Sequence, residues 1–163
     1  GFIPTYFTNV EKGREFGEKY NAANREGGFE FAPGQNQCTV RWLQMADTYE
    51  EAVENAEKYD SEIQKNFYNQ LAVAARSDRE SLPTDTSLHG FTDLLTRSEQ
   101  HLIGTADQVR EKLIQQWKEV PSEYLMLILH YAQQPKDSVI ETLERFMRDV
   151  KPALDELTPY DTD

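Results

Sequence analysis

The stretch from Leu102 to Leu154 leaves a chain like this few folds to choose from. Thr105-Ala106-Asp107-Gln108 has the spacing of a capping box, in which an N-cap hydroxyl and an amide three residues on each satisfy a free backbone N–H. Val109, Leu113, Ile114 and Trp117 follow at helical spacing. The unbroken apolar run Leu125-Met126-Leu127-Ile128-Leu129 then suits a strand covered on both faces, as parallel sheets require. After Pro135 and Asp137, the residues Val139, Leu143, Phe146, Met147 and Val150 share one side of a second helix. Pro152 is expected to end it, since the residue before a proline is pushed out of the α region. Helix, buried strand, helix is one unit of an α/β protein.

The same order recurs upstream. Residues 2–7 read as a short strand, and Thr8-Asn9-Val10-Glu11 as a capping box opening a helix to about Ala23. The face of that helix is Val10, Phe16, Tyr20 and Ala23. Gly13 and Gly17 either permit close packing or leave it marginal, at roughly 1 kcal/mol of propensity each. Gly27-Gly28 ends it, and a turn-rich connection leads to a second strand over 37–46. Thr48-Tyr49-Glu50-Glu51 opens the longest helix, with Ala52, Val53, Ala56, Tyr59, Ile63, Phe67 and Leu71 as its buried stripe to around Ala75. Residues 77–100 lose periodicity and are expected to form a long loop, and 155–163 an acidic, frayed tail.

Four strand candidates result, at 2–7, 37–46, 101–103 and 124–131. Helices opened by threonines directly after short strands imply parallel strands joined by crossover helices. No glycine-rich phosphate turn follows any of them, so a doubly wound nucleotide fold lacks its signature. The other parallel architecture, the (β/α)8 TIM barrel, needs eight strands and roughly 250 residues. At 163 residues the expectation is a partial barrel, residues 1–154, its two open edges wanting the other half or a partner chain. Gly1-Phe2-Ile3-Pro4 is already strand-like and lacks an initiating methionine; Gly1 is an expression scar, or the chain is a piece of something longer, and the barrel argument favours the second.

Charge narrows the partners. Lys plus Arg number 17 against 29 Asp plus Glu, a net charge of −12, which argues against nucleic acid or an anionic membrane. The single cysteine, Cys38, allows no disulfide within the chain and fits a reducing compartment. No apolar stretch approaches the roughly 20 residues of a bilayer span, so a cytoplasmic protein is expected. No His/Cys/Asp grouping has metal-ligand spacing, and no G-x-S-x-G nucleophile is present.

Several segments resemble the bacterial luciferase-like, flavin-dependent monooxygenases. Leu102-Ile103-Gly104-Thr105-Ala106-Asp107-Gln108-Val109-Arg110-Glu111-Lys112-Leu113 is similar to that family's I-G-(T/S)-x-(E/D)-x-V-x-x-K-L element before the last barrel strand. Phe146 to Leu154 resembles its final helix, ending Val-x-Pro-x-Leu, and Gln44 to Ala52 its V-A-D-T-x-E-E-A junction. His89-Gly90 is similar to an upstream H-G pair, and Gly1 to Pro4 to a D-G-(W/F)-I-P strand whose start is absent here. The resemblance runs from residue 1 to 154 and implies the C-terminal half of a barrel that uses reduced flavin, FMN, to insert oxygen into a small organic substrate. A deazaflavin used for hydride transfer is the variant within the same family. The family's N-terminal strands, which carry most flavin contacts, have no counterpart here, so the chain alone is expected to be inactive. It would supply barrel closure, one wall of the pocket and a mobile loop, in a protein expected to be an oligomer.

Barrel chemistry sits at the C-terminal ends of strands. That selects Tyr6 and Phe7 after the first strand, Met45 after the second, and His130 and Tyr131 after the last. Tyr6, Met45 and Tyr131 are the substrate-pocket candidates. His130 is a candidate proton donor or hydrogen-bond partner, set against a simple loop-capping role; His89 in the long loop is the second catalytic candidate. His101 reads as a surface residue, Cys38 as a small core residue, and Trp42 and Trp117 as core anchors. A different class of function stays open, a non-catalytic α/β module that pairs with another chain through its sheet edges.

Overall fold

In the computed structural model, which describes residues 5–6, 8–63, 65–66, 87–129 and 134–157, strand β2 (Cys38–Met45) is central. Each of its residues is buried, and its three partners, β1 (Thr5–Tyr6), β3 (His101–Gly104) and β4 (Tyr124–Ile128), all run parallel to it. Alternate residues of a strand turn their backbone groups to opposite edges. Trp42 N donates to Gln100 O at 2.9 Å, whereas Gln37 O accepts from Tyr124 N at 3.0 Å, so β3 and β4 lie on opposite edges of β2. Since β4 is paired with Cys38 and Thr39, β1, paired with the same two residues, occupies the edge that β3 uses further along. Among the described residues the sheet is therefore at most three strands wide at any level, against the expectation of four side by side. Setting β3 aside, the neighbours β1, β2, β4 follow chain order, as barrel strands do.

Side chains alternate across this sheet. Thr39, Arg41, Leu43 and Met45 of β2 share a face with Leu102 of β3 and with Leu125 and Leu127 of β4. Helix α4 (Ala106–Glu119) and the C-terminal helices cover that face, giving a core of Leu43, Met45, Leu102, Val109, Leu113, Phe146 and Val150. Cys38, Val40, Trp42 and Gln44 share the other face with His101, Ile103, Tyr124, Met126 and Ile128. Here the expectation of a strand covered on both sides meets a correction. Tyr124 and Met126 are 45% and 53% exposed, because no strand or helix among the described residues lies over the outer half of β4.

The helix starts follow their caps. Thr105 accepts from Gln108 N and Gln108 Oε1 from Thr105 N, completing the predicted box. Thr48 caps α2 (Tyr49–Asn55), which continues as a π-helical turn, Ala56–Ser61; the expected continuation through Phe67 and Leu71 lies outside the described residues. Helix α1 (Val10–Glu26) is capped by Asn9, not Thr8: the Asn9 side chain accepts from Lys12 N at 2.9 Å, while Thr8 Oγ1 donates to Asn9 O. Its buried face is Val10, Gly13 and Gly17, with Phe16 43% exposed. A Cβ on Gly13 would lie 3.4 Å from Val120 Cγ1, an ordinary packing distance, so alanine would fit there without strain.

Two further corrections concern the second half. Within the expected 77–100 loop, Leu88–Arg97 is helix α3, capped by Ser87 and burying Phe91, Thr92 and Leu95; 77–86 lies outside the described residues. Pro152 does not end the last helix. Helix α5 (Lys136–Arg145) passes through a π-helical turn, Phe146–Val150, into α6 (Lys151–Asp155). Pro152 sits just after that π-helical turn, in the first turn of α6.

Candidate functional site

Parallel strands bring their C-terminal ends to one side, where side chains from separate strands converge. Here those ends are Tyr6, Gln44-Met45, Gly104 and Ile128. Gln44, 1% exposed, donates from Nε2 to Asp60 Oδ1 and to Gln134 Oε1, both at 3.0 Å. Asp60 and Ser61, on the π-helical turn, are buried with it, and Ser61 Oγ lies 2.8 Å from Thr92 Oγ1 of α3. This buried polar set at the strand ends went unrecognised in the sequence. The available signal was a glutamine interrupting the apolar alternation of a central strand.

The predicted residues separate. Met45, beside Gln44, turns to the opposite face and packs in the helix-side core. His89 lies in the first turn of α3 with its side chain 73% exposed, Nε2 4.0 Å from Asp93 Oδ1. Tyr6 pairs with Thr39 through its backbone; its side chain, Phe7, His130 and Tyr131 lie outside the described residues.

His101 is a correction. It is 5% exposed and stacked on Trp42, ring centroids 5.8 Å apart and planes 8° from parallel. Burial, with Lys112 and Arg41 nearby, pushes its imidazole down to about 3, so it is neutral at every ordinary pH. Beneath it runs a buried polar lattice: Arg41 Nε donates to Gln116 Oε1, Gln116 Nε2 to Glu99 O, and Lys112 Nζ to the carbonyls of Ser98 and His101, each at 2.8 Å. Burial lowers Arg41 to about 10 and also lowers Lys112. Cys38 is the expected small core residue, its thiol pushed up by burial. Trp42 is fully buried, whereas Trp117 is half-buried and donates Nε1 to Ser122 O at 3.2 Å.

A cavity of about 370 Å³ lies on the helix side, near the strand starts, between β4, α4 and the last helices. Leu113, Trp117, Leu125, Leu143, Phe146 and Met147 form its apolar wall and Arg41 one polar corner. It is at the end of the sheet away from Gln44, where barrels build stability rather than chemistry.

A flavin mononucleotide needs cations or open helix N-termini for its phosphate. Thr48, Ser87 and Thr105 already engage the first turns of α2, α3 and α4, and a Cβ on Gly104 would meet Gln108 Oε1 at 2.6 Å. Arg145 pairs with Asp47 at 2.9 Å. One uncapped helix start is left, that of α5 at Pro135, and it alone does not make a phosphate cradle; among the described residues no group of His, Cys, Asp or Glu can hold a metal ion. Nor is any helix among them long and apolar enough to cross a membrane.

No family model matches the chain, and no curated protein matches it. Solved structures do. The chain superposes on monooxygenase RslO1 from Streptomyces bottropensis with TM-score 0.66 and 15% identity over 92% of its own length and 40% of that chain. For the oxygenating constituent of 3,6-diketocamphane monooxygenase of Pseudomonas putida, a type II Baeyer-Villiger enzyme solved with FMN, the figures are 0.72, 18%, 93% and 42%. Long-chain alkane monooxygenase LadA gives 0.57, 14%, 96% and 36%. The neighbours are TIM-barrel, luciferase-like flavin-dependent monooxygenases, and this chain has the fold of part of such a barrel. It spans about two fifths of the length of the structures it matches.

Proposed function

We propose that this chain is the C-terminal portion of a luciferase-like flavin monooxygenase, and that the complete barrel uses reduced FMN to insert oxygen into a small organic substrate. One observation carries the reading. The three strands β1, β2, β4 in chain order are three eighths of a barrel, and the matched share of the solved monooxygenases is 36–42%. Two independent measures thus ask for about five further βα units.

In that assembly the face bearing Val40, Trp42, Gln44, Met126 and Ile128 turns inward and forms one wall of the pocket. Its apolar side chains exclude water from the reacting centre, and the Gln44 amide with the Asp60 carboxylate holds the strand-end polar groups in place. The flavin supplies the oxygen chemistry when bound. Its phosphate is held by the remaining strands, because Arg145 and the starts of α1 to α4 are already engaged and the uncapped start of α5 is no cradle by itself. His130 and Tyr131, which follow β4 in the sequence, are proposed as substrate contacts, His130 as the proton donor; His89, exposed on α3, is proposed as a residue of the covering segment. Tyr6 completes the proposed substrate side; Met45, expected there from the sequence, packs in the helix-side core instead. FMN is preferred over a deazaflavin because one matched structure holds FMN. A cytoplasmic setting is supported by the lone buried thiol.

The test is complementation. Co-expressed with a five-unit N-terminal segment, the chain is expected to co-purify with it and to support substrate-dependent oxygen consumption with reduced FMN. Failure to associate refutes the reading. The second reading, a non-catalytic module pairing through its edges, draws on exposed Tyr124 and Met126. It predicts a stable dimer of this chain by light scattering, against which the charge of −12 on each copy works.

A further inference from the structure

We infer that Gln44 is a positioning residue: acting through Gln134, it ties down the uncapped start of helix α5 and fixes where that helix begins above the strand ends. Helices α1 to α4 each begin at a side-chain cap, from Asn9, Thr48, Ser87 and Thr105. Helix α5 does not. Its N-cap is Pro135, which offers no side-chain oxygen, and no side-chain cap bond is formed. An uncapped start leaves the first-turn N–H groups to water and frays.

The neighbouring contacts form a chain across the mouth. Gln134 Nε2 donates to Ser138 Oγ at 3.0 Å, and Thr142 Oγ1 donates to Ser138 O at 2.9 Å, one turn further along α5. Gln134 Oε1 in turn accepts from Gln44 Nε2, whose second hydrogen goes to Asp60 Oδ1. One amide group on the central strand thus ties the π-helical turn after α2 to the start of α5, through Asp60 16 residues from Gln44 and Gln134 90 residues from it. Gln44 and Asp60 are 1% and 2% exposed, so the tie is shielded from competing water at its inner end. The Asp60 carboxylate orients the Gln44 amide by accepting one hydrogen, which leaves the other aimed at Gln134. A glutamine suits the position, because a glutamate has no hydrogen to give and methionine no donor at all. The inference holds whatever reaction the mouth serves.

Site-resolved hydrogen exchange tests it on this chain, with no catalytic assay. The reporter is the Val139 amide, which donates to Pro135 O at 3.2 Å and closes the first turn of α5. Gln44→Met is expected to speed exchange at Val139 about tenfold, the scale of one lost buried hydrogen bond, while the Leu43 and Leu102 amides change less than threefold. Asp60→Asn keeps an oxygen acceptor and is expected to stay near the parent, whereas Asp60→Leu follows Gln44→Met. Should Gln44→Met fail to fold, Gln134→Ala, at a half-buried residue outside the core, breaks the same tie and is expected to show the same local effect. The inference is overturned if Val139 is unchanged in these variants, if all amides accelerate together, or if Asp60→Asn loosens α5 as much as Asp60→Leu.

Discussion

Replacing His101 by phenylalanine keeps a ring stacked on Trp42 and removes a group whose protonation the fold opposes. The folded imidazole titrates at about 3 and the ordinary value is 6.5, the depression coming first from burial and then from Lys112 and Arg41. A base held neutral in the folded state leaves the unfolded chain to bind the proton first. Its contribution to stability is therefore complete above 6.5 and is lost as pH falls from there towards 3. Linkage between these values gives a loss of about 2 kcal/mol by pH 5, growing by roughly 1.4 kcal/mol per further unit until the folded group protonates. Carboxylates also titrate in this range, so the informative quantity is a difference of differences. Urea unfolding is followed at pH 7.5 and pH 5 for both proteins, with tryptophan fluorescence and far-ultraviolet dichroism required to coincide. The phenylalanine variant is expected to lose about 2 kcal/mol less than the parent between the two conditions. Any cost of the substitution at pH 7.5 cancels. Equal acid losses in the two proteins would refute the assignment of His101 as a buried neutral base.

Three further outcomes follow from the same geometry. Gly34→Ala should cost about 2–4 kcal/mol in urea unfolding, since its φ of +85° is strained for alanine and the new Cβ would lie 2.5 Å from Pro121 C. Gly28→Ala, at φ +83° with nothing within 4 Å of the added atom, should cost only about 1 kcal/mol, and equal losses at the two positions would remove the role given to the Pro121 contact. Thr105→Ala opens the capping box and should destabilise by about 1 kcal/mol, read as a fall in the urea midpoint with an unchanged slope. Met126→Lys, at an exposed position, should change the stability of the isolated chain by less than about 0.5 kcal/mol yet abolish co-purification with a five-unit N-terminal segment.

What was legible in the sequence was local. Thr105 with Gln108 and Thr48 with Glu51 announce helix starts because the cap chemistry lies within four residues. The apolar run at 125–129 and the alternation at 37–46 mark strands for the same reason. The misses are tertiary. Tyr124 and Met126 have the composition of a covered strand, and only the pairing of β4 with β2 alone leaves one edge open. His101 reads as surface from its polarity, yet the register places it opposite Trp42. Helix α3 hides behind His89-Gly90, weak helix formers whose segment is stabilised by burying Phe91 and Leu95. Gln44 and Asp60 are 16 residues apart, and no local pattern joins them.

The proposed function requires that β1, β2 and β4 be three strands of a barrel and that the flavin phosphate site lie on its other strands. Equilibrium titration with FMN, followed by quenching of flavin fluorescence, tests it most directly. The chain alone is expected to show no saturable quenching, and the complex with a five-unit N-terminal segment a one-to-one endpoint. Tight, stoichiometric FMN binding by the isolated chain would contradict the claim.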